Sequence, residues 1–360
     1  MIKTNYPVYI KLASVLICLL AIGYLIVLGR DLLTPLAFAG LLSILLIPPA
    51  HFLENKWHLS RGFASGITIL GLLTIIIGLF YTLGSQISDL STEFPSFKRQ
   101  LGVSFSEIQN WISATFHINT FKQSNYIKSA EDSLLNTGSS MIGSTLIGIS
   151  SMVLSTIFVL LYSLFFLIYR SLIKKFLIGV FKEDNSDLVN DIIEKVQFII
   201  RKYITGLLIE MSIVSGAISI TFWALGIKYA FLLGLLTGLL NLIPYIGMAI
   251  ALILSILVTF ATATSIKILF VVITLVAVHL IDANVLLPVI VGSKVKINAL
   301  ITIIGVVIGE MFWGIPGMFL SIPILAILKI IFDRVESLKV WGLLLGEEEK
   351  TRKVRGHKSS

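Results

Sequence analysis

Long apolar runs, separated by short clusters of charge, dominate the chain from its beginning. The first three cover residues 9–29, 32–53 and 62–84. Each exceeds the roughly 18 residues that mark a membrane-span candidate, and a helix of that length crosses about 30 Å of hydrocarbon. Short links at Arg30–Asp31 and from Glu54 to Arg61 make them antiparallel neighbours. Between 85 and 145 hydrophobicity falls, and Ile108, Trp111, Ile112 and Phe116 recur at helical spacing, which predicts an amphipathic helical region outside the bilayer core. A fourth apolar run, 146–169, ends at Arg170, Lys174 and Lys175. From 183 to 203 the pattern is again amphipathic: Leu188, Ile192, Ile199 and Tyr203 form an apolar face, and Asp191 is spaced to pair with Lys195.

The second half carries a different rhythm. A fifth span, 204–226, leads to an apolar block at 229–263 that is interrupted by Asn241, Pro244 and Gly247. That block is too long for one ordinary span and too short for two with a turn, which need about 40 residues. A sixth span, 266–291, is followed by 298–330, a block of similar awkward length broken by Gly314, Pro316, Gly317 and Pro323. Re-entrant hairpins fit both blocks, and their tips share an Ile-Pro step, Ile243–Pro244 and Ile315–Pro316. The pattern predicts an all-α polytopic membrane protein with about six full spans plus two re-entrant helical hairpins, often counted as eight transmembrane segments. The units 204–263 and 266–330 then form inverted repeats, the arrangement that marks a transporter site near the bilayer midplane.

Charge orients this arrangement. The chain has 28 Lys and Arg against 20 Asp and Glu, a net +8, yet only 13% of it is charged and 56% is hydrophobic. A soluble domain has roughly 25% charged residues, so that class is excluded. The basic residues sit at the ends of apolar runs, which favours positive-inside orientation over a nucleic-acid partner. Both termini are expected in the cytoplasm, with the 85–145 region outside and the basic link 171–203 inside. Lys228 and Lys267 then lie outside, and Lys294, Lys296 and the tail inside. The expected division is spans one to three at 1–84, the extracytoplasmic region at 85–145, span four at 146–170, the link at 171–203, a transport region at 204–332 and a basic tail at 333–360. The tail from Lys350 to Lys358 suits contact with anionic membrane lipid. The segment opening Met1-Ile2-Lys3 lacks a small-x-small cleavage site and reads as a retained first helix. The single cysteine, Cys18, lies within the first apolar run, so neither a disulfide nor a cysteine metal site is expected.

Three strings make the second half recognisable: GLLNLIPYIG from Gly238 to Gly247, DANVLLPVIVG from Asp282 to Gly292, and GIPGMFLSIP from Gly314 to Pro323. In order and spacing they resemble the autoinducer-2 exporter family of bacterial membrane permeases. The resemblance extends over nearly the whole chain and is most specific at 200–332. It implies a bacterial cytoplasmic-membrane location and a homo-oligomer, a pentamer, with a mobile region holding the hairpins and a more static region holding the early spans. The chain departs from the family pattern at Leu207, where Gln is common after Tyr203-Ile204-Thr205-Gly206, and Glu210 appears a turn later. Met248 and Ala299 stand where Pro is frequent. These changes bear on substrate more than on fold.

Ionisable side chains at membrane depth cost at least about 2.5 to 3.5 kcal/mol on insertion scales, so they are usually buried in protein and functional. Glu210, Asp282 and Glu310 qualify; Asp282 matches an acidic position of the family, and Glu310 precedes the second tip. The bland reading of each is a structural ion pair or interfacial position. Asn241 and Asn284 offer donors and acceptors suited to a small polar solute, or serve as interhelical glue worth about 0.6 kcal/mol. Pro244, Gly247, Gly314, Pro316 and Gly317 shape the backbone so that freed carbonyls line a cavity. Tyr245 at the first tip is a candidate gate, against a plain packing role. His279 is one turn before Asp282, a spacing compatible with a proton relay.

There is no Walker P-loop, no HExxH and no dinucleotide fingerprint, so neither an enzyme nor a cofactor is expected. The sequence points to a permease exporting a small polar metabolite such as autoinducer-2 by alternating access, with sodium/proton antiport as the alternative. A non-transporting membrane scaffold is the reading from a different class.

Overall fold

In a computed structural model, residues 7–92, 99, 152–181, 185–243, 246–291 and 297–346 are described. The region expected at 85–145 lies almost wholly outside these residues, as do Pro244, Tyr245 and the basic tail. Among the described residues the regular structure is helical throughout, without strands.

The first three helices are α1 (Val8–Leu28), α2 (Arg30–Trp57) and α3 (Arg61–Thr92). Gly29 and the left-handed His58 end the first two. The fourth, α4, runs from Met152 to Gly179. The amphipathic link and the fifth span form one unbroken helix, α5 (Ser186–Ala224). Its charged residues interrupt the hydropathy pattern but not the backbone hydrogen bonds, and no Pro lies within it to break them.

A tight turn with Gly226 and Tyr229 at positive φ leads into α6 (Ala230–Asn241), followed by α7 (Ile246–Thr262). These two short helices fold back on one another. Next, α8 (Ser265–Ile281) continues as a π-helical stretch, Asp282–Val291, that contains Pro288. Proline removes one N–H from the helical ladder and its ring crowds the preceding turn, which disturbs the regular α pattern around it; π-helical insertions occur often at functional sites. The Asn284 side chain donates to the Leu280 carbonyl at 2.8 Å, joining this stretch to the last turn of α8.

A second folded-back pair follows, α9 (Ala299–Trp313) and α10 (Ile315–Arg334), joined by Gly314 alone. Asn298 caps α9 by accepting from the Leu300 N–H. The chain then makes a short 3-10 turn and ends in α11 (Lys339–Leu345).

Seven helical segments among the described residues are long and apolar enough to cross a membrane: α1 to α5, α8 with its extension, and α10. Each of the six expected spans overlaps one of these candidates. The second arm of the second pair, α10, is itself of spanning length at 20 residues. By contrast α6, α7 and α9 are shorter.

Contacts divide the chain into two compact units. One comprises Phe38–Tyr169 and Thr205–Ile290. Its main core joins Val214, Ile218 and Phe222 of α5 to Leu233 of α6 and to Val271 and Leu275 of α8. A second cluster joins Leu46 and Ala50 of α2 to Ile69 of α3 and Leu160 and Leu167 of α4. The other unit comprises Met1–Ala37, Arg170–Ile204 and Val291–Ser360. There α9 and α10 approach so closely that a Cβ on Gly317 would stand 1.9 Å from the Gly309 carbonyl oxygen. Small residues permit such backbone contact between membrane helices, where hydrophobic burial gives no drive to associate. In the same unit Arg334 at the end of α10 meets Asp191 of α5, the residue whose spacing pointed to Lys195.

Candidate functional site: two carboxylates on one amide

Asn241 is the last residue of α6, and Leu242, which follows it, keeps right-handed helical backbone angles. Its Nδ2 group donates to Glu210 Oε1 at 3.2 Å and to Asp282 Oδ2 at 2.9 Å. Glu210 comes from α5 and Asp282 from the first position of the π-helical stretch. Both acids are 3% exposed. Three helices thus place one amide and two carboxyl groups together within a single unit.

The outer oxygens, Glu210 Oε2 and Asp282 Oδ1, are buried and meet no protein donor among the described residues. Buried acceptors are ordinarily satisfied, and an unpaired carboxylate oxygen costs more than a neutral group. An amide has two N–H donors, and both are used here, so neither outer oxygen can be served by Asn241. The group is therefore rich in acceptors and short of positive charge. Its chemistry suits a proton or a monovalent cation. No trio of His, Cys, Asp or Glu able to hold a metal ion occurs among the described residues.

The helix crossing beside this group is close. A Cβ on Gly238 would stand 2.0 Å from Ser215 Oγ and 2.8 Å from the Met211 carbonyl oxygen, which brings α6 against α5. Gly247, at the start of α7, would clash in the same way with the Leu240 carbonyl oxygen at 1.7 Å. These contacts fix Asn241 relative to both neighbours.

The other sequence candidates are placed differently. Asn284 is exposed and spends its amide on its own helix. His279 is exposed while Asp282 is buried, and among the described residues no hydrogen bond joins them. A spacing of three leaves about 60° between side chains on a helix, and the edge of the buried face falls in that gap. Glu310 is exposed on α9. Gly314, at φ +64°, ends that helix, Pro316 opens α10 and Gly317 makes the close contact described above. These four belong to the other unit. Pro244 and Tyr245 lie outside the described residues.

Two features escaped the sequence reading. Ser215 Oγ is buried without a hydrogen-bond partner, and Trp313 Nε1 donates to the Ile26 carbonyl at 3.0 Å, tying the end of α9 to α1. An aromatic N–H donor directly before the Gly-Ile-Pro break was the available signal for the second.

The long apolar helices and buried acids define a multi-pass membrane protein of the transporter class. Residues 16–337 match the AI-2E family transporter, and the chain belongs to that family. It is 22% identical over 329 residues to the "AI-2 transport protein TqsA" of Escherichia coli, covering 89% of this chain and 91% of that one. It is 24% identical over 331 residues to the "Putative transport protein YueF" of Bacillus subtilis, covering 87% and 86%. A further Bacillus subtilis protein, "Putative transport protein YrrI", is 36% identical over 129 residues, a match that spans 36% of each chain.

Proposed function

We propose that this protein is a cation-coupled secondary transporter that exports a small polar solute such as autoinducer-2 across the bacterial cytoplasmic membrane. The observation that carries the reading is Asn241, at the end of a short hairpin arm, bonded to two buried acids on two long helices. The two carboxylates repel when both are charged, and a proton or sodium ion between them removes that repulsion. Occupancy of this position would then be felt at the hairpin tip through Asn241. Alternating access is part of this reading, because the sequence units 204–263 and 266–330 suit the inverted repeats on which such transporters are built, with both termini in the cytoplasm. The solute class is supported by the name of the Escherichia coli relative, and no nucleotide-binding motif is present to drive transport by hydrolysis. A homo-oligomer, pentameric as the family resemblance implies, is part of this reading.

The test is accumulation of autoinducer-2 in inside-out vesicles carrying the protein, with and without a protonophore and a sodium gradient. Gradient-dependent uptake supports the proposal. Absence of uptake, with dissipation of a proton gradient on adding sodium, transfers it to cation/proton exchange. That second reading is favoured by one specific feature, the excess of acceptors in the Glu210–Asn241–Asp282 group. A chain that moves neither solute nor ion in liposomes would be a scaffold.

A further inference from the structure

The unit containing α1, α9 and α10 holds a half-open pocket of about 310 Å³ bordered by Ile26, Ile308, Phe312, Trp313, Ile324 and Leu328. We propose that this pocket seats one hydrocarbon chain of a membrane lipid, because its walls are apolar and every polar side-chain atom in them is already bonded within the protein. The Ser321 hydroxyl donates to the carbonyls of Gly305 and Gly317 at 2.8 and 2.7 Å. Trp313 Nε1 is taken by the Ile26 carbonyl. A polar solute entering here would give up its hydration and gain no partner.

The volume is about twice that of an engineered apolar cavity of roughly 150 Å³ that stays dry and accepts benzene. The pocket's apolar walls offer water no free hydrogen-bond partner. Its walls come from α1 and α10, both of membrane-spanning length, and from α9 between them. No residue of the apolar window of α1 is buried, so hydrocarbon surrounds the flank of that helix and reaches the pocket beside it. Gly305, Gly309 and Gly317 border the pocket on the side where α9 and α10 touch, and a Cβ on any of them would run into the facing helix at 1.9 to 2.6 Å.

The test uses the full chain in detergent, with Trp57, Trp111, Trp223 and Trp341 replaced by Phe so that Trp313 reports alone. A brominated fatty acid, which quenches indole on contact, is titrated in. Saturable quenching at one molecule per chain is expected, and the Ile308→Phe/Leu328→Phe filling variant should raise the half-quenching concentration about tenfold or more, a change of at least about 1.4 kcal/mol. Non-saturating quenching that is the same in both proteins overturns the proposal. Native mass spectrometry of the chain with all its tryptophans provides the second readout. Retention of one phospholipid per chain, lost in the filling variant, supports the seat. Loss of oligomer instead of lipid would assign the pocket to a neighbouring copy and overturn it.

Discussion

Glu210 and Asp282 lean on opposite N–H groups of the same amide, and each keeps one buried oxygen without a donor. Among the described residues neither acid is hydrogen-bonded or ion-paired to a basic side chain. The arrangement is the opposite of a neutralised structural ion pair.

Removing the charge from either acid should therefore uncouple transport without unfolding the protein. Glu210→Gln and Asp282→Asn are each expected to lower gradient-driven flux in liposomes by about tenfold or more, with thermal stability kept or improved, because a buried charge is removed. Wild-type flux in both variants would sink the coupling role.

Asn241→Leu should behave differently, since it strips two buried carboxylates of their donor. The expected loss is about 1 to 3 kcal/mol for each orphaned group, more for a charged one. Part of it should return in Asn241→Leu/Glu210→Leu. A denaturation midpoint that is equal in the single and double variants would contradict the linkage.

Close packing of α9 and α10 gives a second stability prediction. Gly317→Ala drives a methyl into the Gly309 carbonyl oxygen, and overpacking of this kind costs about 1 to 3 kcal/mol. Gly66→Ala is the control. Nothing lies within 4 Å of a Cβ there, and alanine is favoured in helices by about 0.8 to 1 kcal/mol. The two variants should shift the melting temperature in opposite directions.

The contact between Asp191 and Arg334 looks important on paper but is half open to solvent, at 48% and 36% exposure. Exposed ion pairs are worth about 0 to 1 kcal/mol. A double-mutant cycle with Asp191→Asn and Arg334→Gln should return a coupling within that range, falling as salt is raised. A much larger value would mean the pair is shielded in the membrane-embedded protein.

Much of this fold was legible because hydrocarbon leaves a chain few options. A run such as 9–29 or 62–84 must satisfy its backbone internally, and the helix is the local way to do so. The Ile-Pro steps located both interruptions for the same reason. The length of α5 was not legible, since Lys195, Arg201 and Lys202 suggested an end to the apolar pattern while the helix continues. Glu210, Asn241 and Asp282 were individually conspicuous as polar residues in apolar surroundings. Their union was not, because it depends on the crossing of α5 and α6 at Gly238 and on where the π-helical stretch begins. His279 and Asn284 had equally suggestive spacing and face elsewhere.

Gly314 shows how a position can be constrained without a neighbour. A Cβ there would meet nothing within 4 Å, yet its backbone sits at φ +64° and ψ −143°, near a region essentially reserved for glycine that costs other residues about 1 to 3 kcal/mol. In a saturation library, every amino-acid substitution at this site should register as a defect, although the surrounding space would admit any small side chain. The selection acts on the direction in which the chain leaves one helix and enters the next, and contact maps are blind to it.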